Sequence, residues 1–113
     1  MTEEQLKART KTRALRTIQL SKKLPRGYIG DVLGRQLIRS ATSVAANYRG
    51  TCKARSRPEF ISKIGIVEEE IDEVELWLEL LVEAELHQRD LIETLIAEAK
   101  ELAAIFAASR ITA

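Results

Sequence analysis

Apolar side chains recur through residues 60–81 at alternating intervals of four and three. They are Phe60, Ile64, Val67, Ile71, Val74, Leu78 and Leu81. This spacing keeps one face of an α-helix apolar along its length, whereas a strand needs a two-residue period. Ser56, Pro58 and Glu59 come just before it, with a capping serine and a proline suited to a first turn. The segment therefore predicts one long helix, which breaks near Leu86-His87-Gln88.

Three further segments predict helices. Thr2 and Gln5 have the spacing of a capping box, and the first helix is expected to run to about Leu24, before Pro25. A second helix is predicted from near Ile29 to Arg55, with its apolar face at Leu33, Leu37, Ile38, Ala41, Val44, Ala45 and Tyr48. A fourth carries Ile92, Leu95, Ala99, Leu102 and Phe106. The expected fold is all-α, a single domain over residues 1–113 arranged as an up-down-up-down antiparallel four-helix bundle.

Composition excludes several other classes of protein. Only 5 Gly and 2 Pro occur in 113 residues, too few for the frequent turns of a β-sandwich. Hydrophobic residues at 45% exclude a disordered chain. No apolar run approaches the ~20 residues that span a bilayer, and the first residues lack an apolar signal segment. The sequence therefore predicts a cytoplasmic protein without a membrane partner.

The residue types that carry catalysis or bind metal are scarce. The single His87 and single Cys52 exclude a Cys/His zinc site, and no glycine-rich phosphate loop is present. Cys52 lies among Arg and Lys residues that would lower the pKa of a nearby thiol, but no nucleophile motif surrounds it. We expect no enzymatic activity, no cofactor and no metal site.

Charge is divided unequally along the chain. Residues 1–63 carry 15 Lys and Arg against 4 Asp and Glu, and residues 64–113 carry 3 against 13. Arg9, Arg13 and Arg16 share one face of the first helix, and the end of the second helix lies close to its start in an antiparallel pair. The sequence therefore predicts a nucleic-acid-binding basic patch formed by Arg9, Arg13, Arg16, Arg49, Lys53, Arg55 and Arg57. The alternative is that the opposite charges neutralise each other within the fold or between subunits.

A second polar set lies beside the apolar seam of the third helix. Glu70 and Glu73 share a stripe with Trp77, which predicts that at least one of these carboxylates is buried. Because a buried carboxylate needs a partner, we expect a structural ion pair between Arg39 and Glu70 or Glu73. Asn47 is expected to bond the same acidic row or a helix backbone.

The run RQLIRSATSVAANYRGTCKARSRPEFISKIGIVEEEIDEVELWLELL resembles the family of 23S rRNA-intervening sequence proteins. The positions that carry the resemblance are Gln36, Arg39, Ser40, Ser43, Asn47, Arg55, Ser56, Glu59, Phe60, Glu70 and Glu73. The resemblance implies a bacterial four-helix bundle that assembles into a homopentamer. A related branch is similar to the accessory protein of diversity-generating retroelements, which implies RNA and a reverse transcriptase as partners.

Two functions follow as expectations. The first is a non-enzymatic homo-oligomeric bundle that binds structured nucleic acid, RNA or DNA, through the basic patch. The second is a protein-interaction scaffold whose charge asymmetry serves self-assembly or a protein partner. An exposed arginine patch favours the first, and arginines consumed in glutamate pairs favour the second.

Overall fold

The computed structural model of the chain describes residues 1–86 and 89–113. Four helices follow one another, α1 (Glu3–Lys22), α2 (Tyr28–Cys52), α3 (Arg57–Glu83) and α4 (Arg89–Thr112). They pack along a body of 45 × 21 × 20 Å, and the described residues contain no strand. The predicted all-α bundle with up-down connections is confirmed. Of the predicted break after the third helix, His87 and Gln88 lie outside the described residues.

Side-chain caps begin two of the helices. The Thr2 hydroxyl accepts a hydrogen bond from the Gln5 backbone N–H at 3.1 Å, and the Gln5 side chain accepts one from the Thr2 N–H at 2.9 Å. The Ser56 hydroxyl accepts from the Glu59 N–H at 3.2 Å. The Glu59 carboxylate accepts from the backbone N–H of Arg55, not from that of Ser56. The first cap is therefore a full capping box and the second is one-sided.

The connections set where the first two helices end. α1 ends at Lys22, close to the prediction, and Gly27 adopts a φ of 141° in the turn before α2. A Cβ atom at Gly30 would lie 2.4 Å from the backbone oxygen of Pro25, so the turn requires glycine there. The prediction that the second helix continues to Arg55 was wrong. It ends at Cys52 because Ser56 is extended to cap α3.

The seam predicted for the third helix forms the centre of the core. Six of its seven side chains are fully buried, and Phe60, in the first turn of α3, is half-buried. All five apolar positions predicted on α4 are also fully buried. Tyr48 and Phe106 join α2 to α4 with ring centroids 5.6 Å apart. No helix of the described residues combines the length and apolar character needed to cross a bilayer.

The interior face of α1 is unusually polar. Thr10, Arg13 and Thr17 are buried on it, and Arg13 is the bulkiest fully buried side chain of the protein. α1 packs closely on α2. The backbones of α1 and α4 come close at few points, fewer than those of any other pair of neighbouring helices. Long side chains therefore reach across from α1 to α4.

Candidate nucleic-acid interface

Part of the predicted basic patch lies free at one end of the bundle. Arg49 and Lys53 are near the end of α2, and Arg55 and Arg57 are in the connection to α3 and its first turn. All four residues are exposed, and none forms an ion pair with a carboxylate in the described part of the chain. We call these four residues the α2–α3 cations.

The other three residues of the patch are turned towards α4. Arg9 Nη1 donates to Glu101 Oε1 at 3.1 Å, and Arg16 Nη1 donates to Glu98 Oε2 at 3.0 Å. Arg13 Nη1 donates to Glu98 Oε1 at 3.3 Å. These arginines, called the arginine row, share one helix face as predicted from their spacing. The structure thus divides the predicted patch into an open part and a part paired with α4.

Arg13 does not belong to the surface. Its side chain is 1% exposed, so it reaches no external phosphate in this arrangement. Burial lowers the pKa of its guanidinium, and the charge and hydrogen bond of Glu98 oppose that shift. Among the described residues, its Nε and Nη2 atoms have no hydrogen-bond partner, and neither does the hydroxyl oxygen of Thr17 one turn later. The α1 side of the core therefore contains unsatisfied donors.

Two depressions border the arginine row and the α2–α3 cations. One, of about 240 Å³, lies on the α1–α4 side and is lined by Ala8, Arg9, Thr12, Arg16 and Glu98. The other, of about 480 Å³, lies between α1 and α2 and is lined by Lys11, Thr42, Ala45, Ala46 and Arg49. Both have small residues between cationic ones, and the first is also bordered by the carboxylate of Glu98.

The predicted polar set on α2 and α3 forms a half-exposed cluster. Arg39 donates to Glu73 Oε1 at 2.7 Å and to Glu70 Oε2 at 3.5 Å, and its Nε donates to Gln36 Oε1 at 3.1 Å. The Arg39 side chain is 47% exposed and that of Glu70 17%, so the cluster lies at the surface and not inside the core. Asn47 takes no part in it. Its side-chain amide donates to the backbone oxygen and the hydroxyl of Ser43, so of the two expected partners it bonds the helix backbone.

Sequence reasoning missed the acidic partners of the arginine row. Glu98 and Glu101 are separated by three positions, so they share the face of α4 beside the buried Leu102. Their spacing complements that of Arg9 and Arg13 on an antiparallel neighbour. This complementarity is the feature of the sequence that could have predicted the ion pairs. It also missed a second exposed cationic group at the opposite end, without ion pairs in the described residues. We call Lys22, Lys23, Arg26 and Arg35 the α1–α2 cations.

The cysteine has no activated thiol. Burial raises the pKa of Cys52, and a hydrogen bond with Tyr48 opposes that rise only in part. The lowered pKa considered from its basic sequence neighbours is therefore not found. Within residues 1–86 and 89–113, no three His, Cys, Asp or Glu residues converge as metal ligands. His87 lies outside the described residues.

Comparisons of the sequence and of the structure with known proteins point to the same family. The model of a family described as 23S rRNA-intervening sequence protein matches residues 4–108. The structure is similar to the crystal structure of a protein of unknown function from the S23 ribosomal protein family of Bacteroides thetaiotaomicron. The two are 31% identical, with a TM-score of 0.86 over 97% of this chain and 98% of that chain. No functionally curated protein matches the sequence.

Proposed function

Because the chain belongs to the 23S rRNA-intervening sequence protein family, we propose that it is a non-enzymatic, homo-oligomeric bundle that binds structured RNA. The α2–α3 cations are the primary contact. The proposal places the protein in the cytoplasm, where RNA is accessible. A reverse transcriptase or another protein, as the family resemblance implies, is a further partner in this proposal.

The observation that carries the proposal is the exposure of the α2–α3 cations. Three of the four are arginines, whose planar guanidinium forms two hydrogen bonds with one phosphate. In the described residues, no carboxylate pairs with any of the four, so their donors are available to a ligand. Lys11 lines the groove between α1 and α2 together with Arg49, and it extends the positive surface along that groove.

The chemistry of this surface favours backbone recognition over base reading. Tyr48, the aromatic residue closest in sequence to the α2–α3 cations, is buried and offers no face for base stacking. Contacts with phosphates fix position and affinity but carry little sequence information. Binding should therefore favour RNA shape and depend steeply on salt, because every phosphate contact releases counterions.

Self-association would repeat this surface and strengthen binding by avidity. Ile66, Leu76 and Leu80 leave substantial apolar area exposed on α3. Such side chains on one helix of a small bundle favour a contact with another copy. The number of five subunits comes from the family resemblance.

The test compares two variants that lose the same charge at opposite ends. In one, all four α2–α3 cations are changed to Gln; in the other, all four α1–α2 cations are. Fluorescence anisotropy with a labelled 20-base-pair RNA duplex measures affinity at several salt concentrations. We expect the first variant to lose at least about tenfold in affinity, with a shallower salt slope, and the second to lose much less. Equal losses, or a larger loss in the second variant, would contradict the assignment of the surface.

A second candidate function, the protein-interaction scaffold, is supported by the arginine row. Its three cations are consumed by Glu98 and Glu101, as expected if charge asymmetry serves packing. Arg110 is likewise paired with Glu68 at 2.7 Å. Absence of RNA binding by an intact oligomer would favour this function.

A further inference from the structure

The arginine row is incompletely paired, although each of its three members forms an ion pair. It brings three guanidinium groups against two carboxylates, and Glu98 serves both Arg13 and Arg16 with one oxygen each. Arg9 has Glu101, whose side chain is mostly exposed. Counted by ion pairs, the cluster has one guanidinium more than it has carboxylates. The charge of Glu75 on α3 also reaches Arg13, but no ion pair joins the two in the described residues.

Its interior member lacks partners of its own. Arg13 uses one of its three nitrogen atoms to bond Glu98, and Nε and Nη2 remain buried without an acceptor. Buried donors without acceptors destabilise the arrangement that contains them. Additional anions in the seam would supply acceptor oxygens for these donors.

The seam between α1 and α4 is also accessible. The depression lined by Arg9, Thr12 and Arg16 opens beside Glu98, and more than half of the Arg16 side chain is exposed. The backbones of α1 and α4 approach each other at few points, and the side chains of the arginine row, Glu98 and Glu101 bridge the seam. A phosphate can therefore approach the same guanidinium groups that the two carboxylates now occupy.

We propose that the α1–α4 seam is a concealed phosphate-binding site, in which phosphates of bound RNA displace Glu98 and Glu101 from the arginine row. The inference rests on the proposed function and adds a second contact surface to it. A phosphate diester offers two unesterified oxygens and one full charge, as a carboxylate does, but an RNA strand presents several phosphates in succession. A row of three phosphates would therefore bring one anion to each guanidinium, where two carboxylates now serve three. Glu98 and Glu101 act in the free protein as internal competitors of RNA.

Neutralising the competitors is the first test, with a matched control in the same chain. Glu98→Gln with Glu101→Gln removes two carboxylates from the arginine row. Glu70→Gln with Glu73→Gln removes two from Arg39, so both variants gain the same net charge. With the 20-base-pair RNA duplex, we expect the first to bind roughly tenfold more tightly than the wild type, as two added phosphate contacts would. The control variant should gain much less.

Carboxylate labelling of the unmodified protein is the second test, and it does not depend on the folding of a variant. Carbodiimide coupling to glycine ethyl ester, read by mass spectrometry, reports how free each carboxylate is. We expect RNA to raise labelling of Glu98 severalfold and to leave Glu70 unchanged. Inorganic phosphate at matched ionic strength should leave Glu98 unchanged. A rise with inorganic phosphate would assign the seam to small ions and overturn the RNA proposal.

The outcomes separate this inference from the proposed function. If the wild type binds RNA but the two double variants gain equally, or Glu98 labelling does not rise, the concealed site is refuted and the proposed function stands. If the wild type does not bind and the Glu98→Gln, Glu101→Gln variant does, the concealed site is supported and the α2–α3 cations are not the primary contact. If none binds RNA, both proposals fail.

Discussion

Arg13 and Glu98 form an ion pair between α1 and α4, with 3.3 Å between Arg13 Nη1 and Glu98 Oε1 and only 1% and 19% of the two side chains exposed. A charged residue thus occupies a core position where an apolar one would be expected. The pair gains Coulomb energy in a poorly solvated setting but loses the hydration of both groups, so its net contribution to stability is small.

Replacing Arg13 separates its volume from its charge. Arg13→Ala should lower the free energy of unfolding by about 2–4 kcal/mol, because it leaves a cavity and an incompletely paired Glu98. Arg13→Met keeps most of the volume and removes the unsatisfied donors, so we expect it to be near neutral or stabilising. Urea denaturation measures both. A loss for Arg13→Met as large as that for Arg13→Ala would show that the charge itself stabilises the core.

The Arg39 cluster should contribute much less than a buried pair. Arg39→Ala is expected to cost about 0.5–1 kcal/mol, since its side chain is half-exposed and solvent screens the interaction. A double-mutant cycle with Glu73→Gln isolates the coupling, which should weaken at high salt. A cost of 3 kcal/mol or more would show that the cluster is buried in solution, for example by a second subunit.

Two glycine substitutions should have opposite effects. Gly30→Ala places a Cβ atom against the Pro25 carbonyl oxygen, 2.4 Å away, so it should destabilise by about 1–3 kcal/mol. Gly65 lies inside α3 with no atom within 4 Å of an added Cβ. Gly65→Ala should therefore stabilise by about 0.5–1 kcal/mol through helix propensity. Thermal denaturation checks the pair, and a stable Gly30→Ala protein would argue against this turn.

The proposed homo-oligomer can be tested directly by measuring the mass of the protein in solution. Light scattering at micromolar concentration is expected to give five times the monomer mass of 12.7 kDa. Leu76→Lys, which places a charge in the exposed apolar surface of α3, should shift the mass towards the monomer. A mass of 12.7 kDa for the unmodified protein would exclude self-association at that concentration.

The fold was more predictable from the sequence than the site. The 4-3 period of α3 identifies its buried face, because it places all the apolar side chains of the helix on one continuous stripe that packs against the neighbouring helices. The period also places Arg9, Arg13 and Arg16 on a common face. It does not reveal which neighbour that face meets, because Glu98 is 85 positions from Arg13. Whether an arginine on an amphipathic helix meets water or a carboxylate is decided by tertiary packing.

Arg39 contacts Glu70 and Glu73, but how deeply this cluster is buried could not be predicted, for the same reason. The stripe of Glu70, Glu73 and Trp77 correctly places the carboxylates within reach of α2. Helical spacing cannot give the depth of the stripe, because the boundary between core and surface depends on how far α2 and α3 are rotated towards each other. Arg39 lies just outside that boundary, and the side chain of Glu70 is more deeply buried than that of Glu73.

Because the interior face of α1 is partly polar, α1 should separate from the bundle more readily than the other helices. Leu6, Ala14 and Leu20 are the buried apolar side chains of α1, whereas the third and fourth helices are anchored by five or six each. Local unfolding occurs most readily in the segment that has the fewest buried apolar contacts. In native-state hydrogen exchange, amides of α1 should therefore lose protection before those of α3 and α4. A segment that detaches while the other helices stay folded can also exchange between copies of the chain, so α1 is where domain swapping would begin.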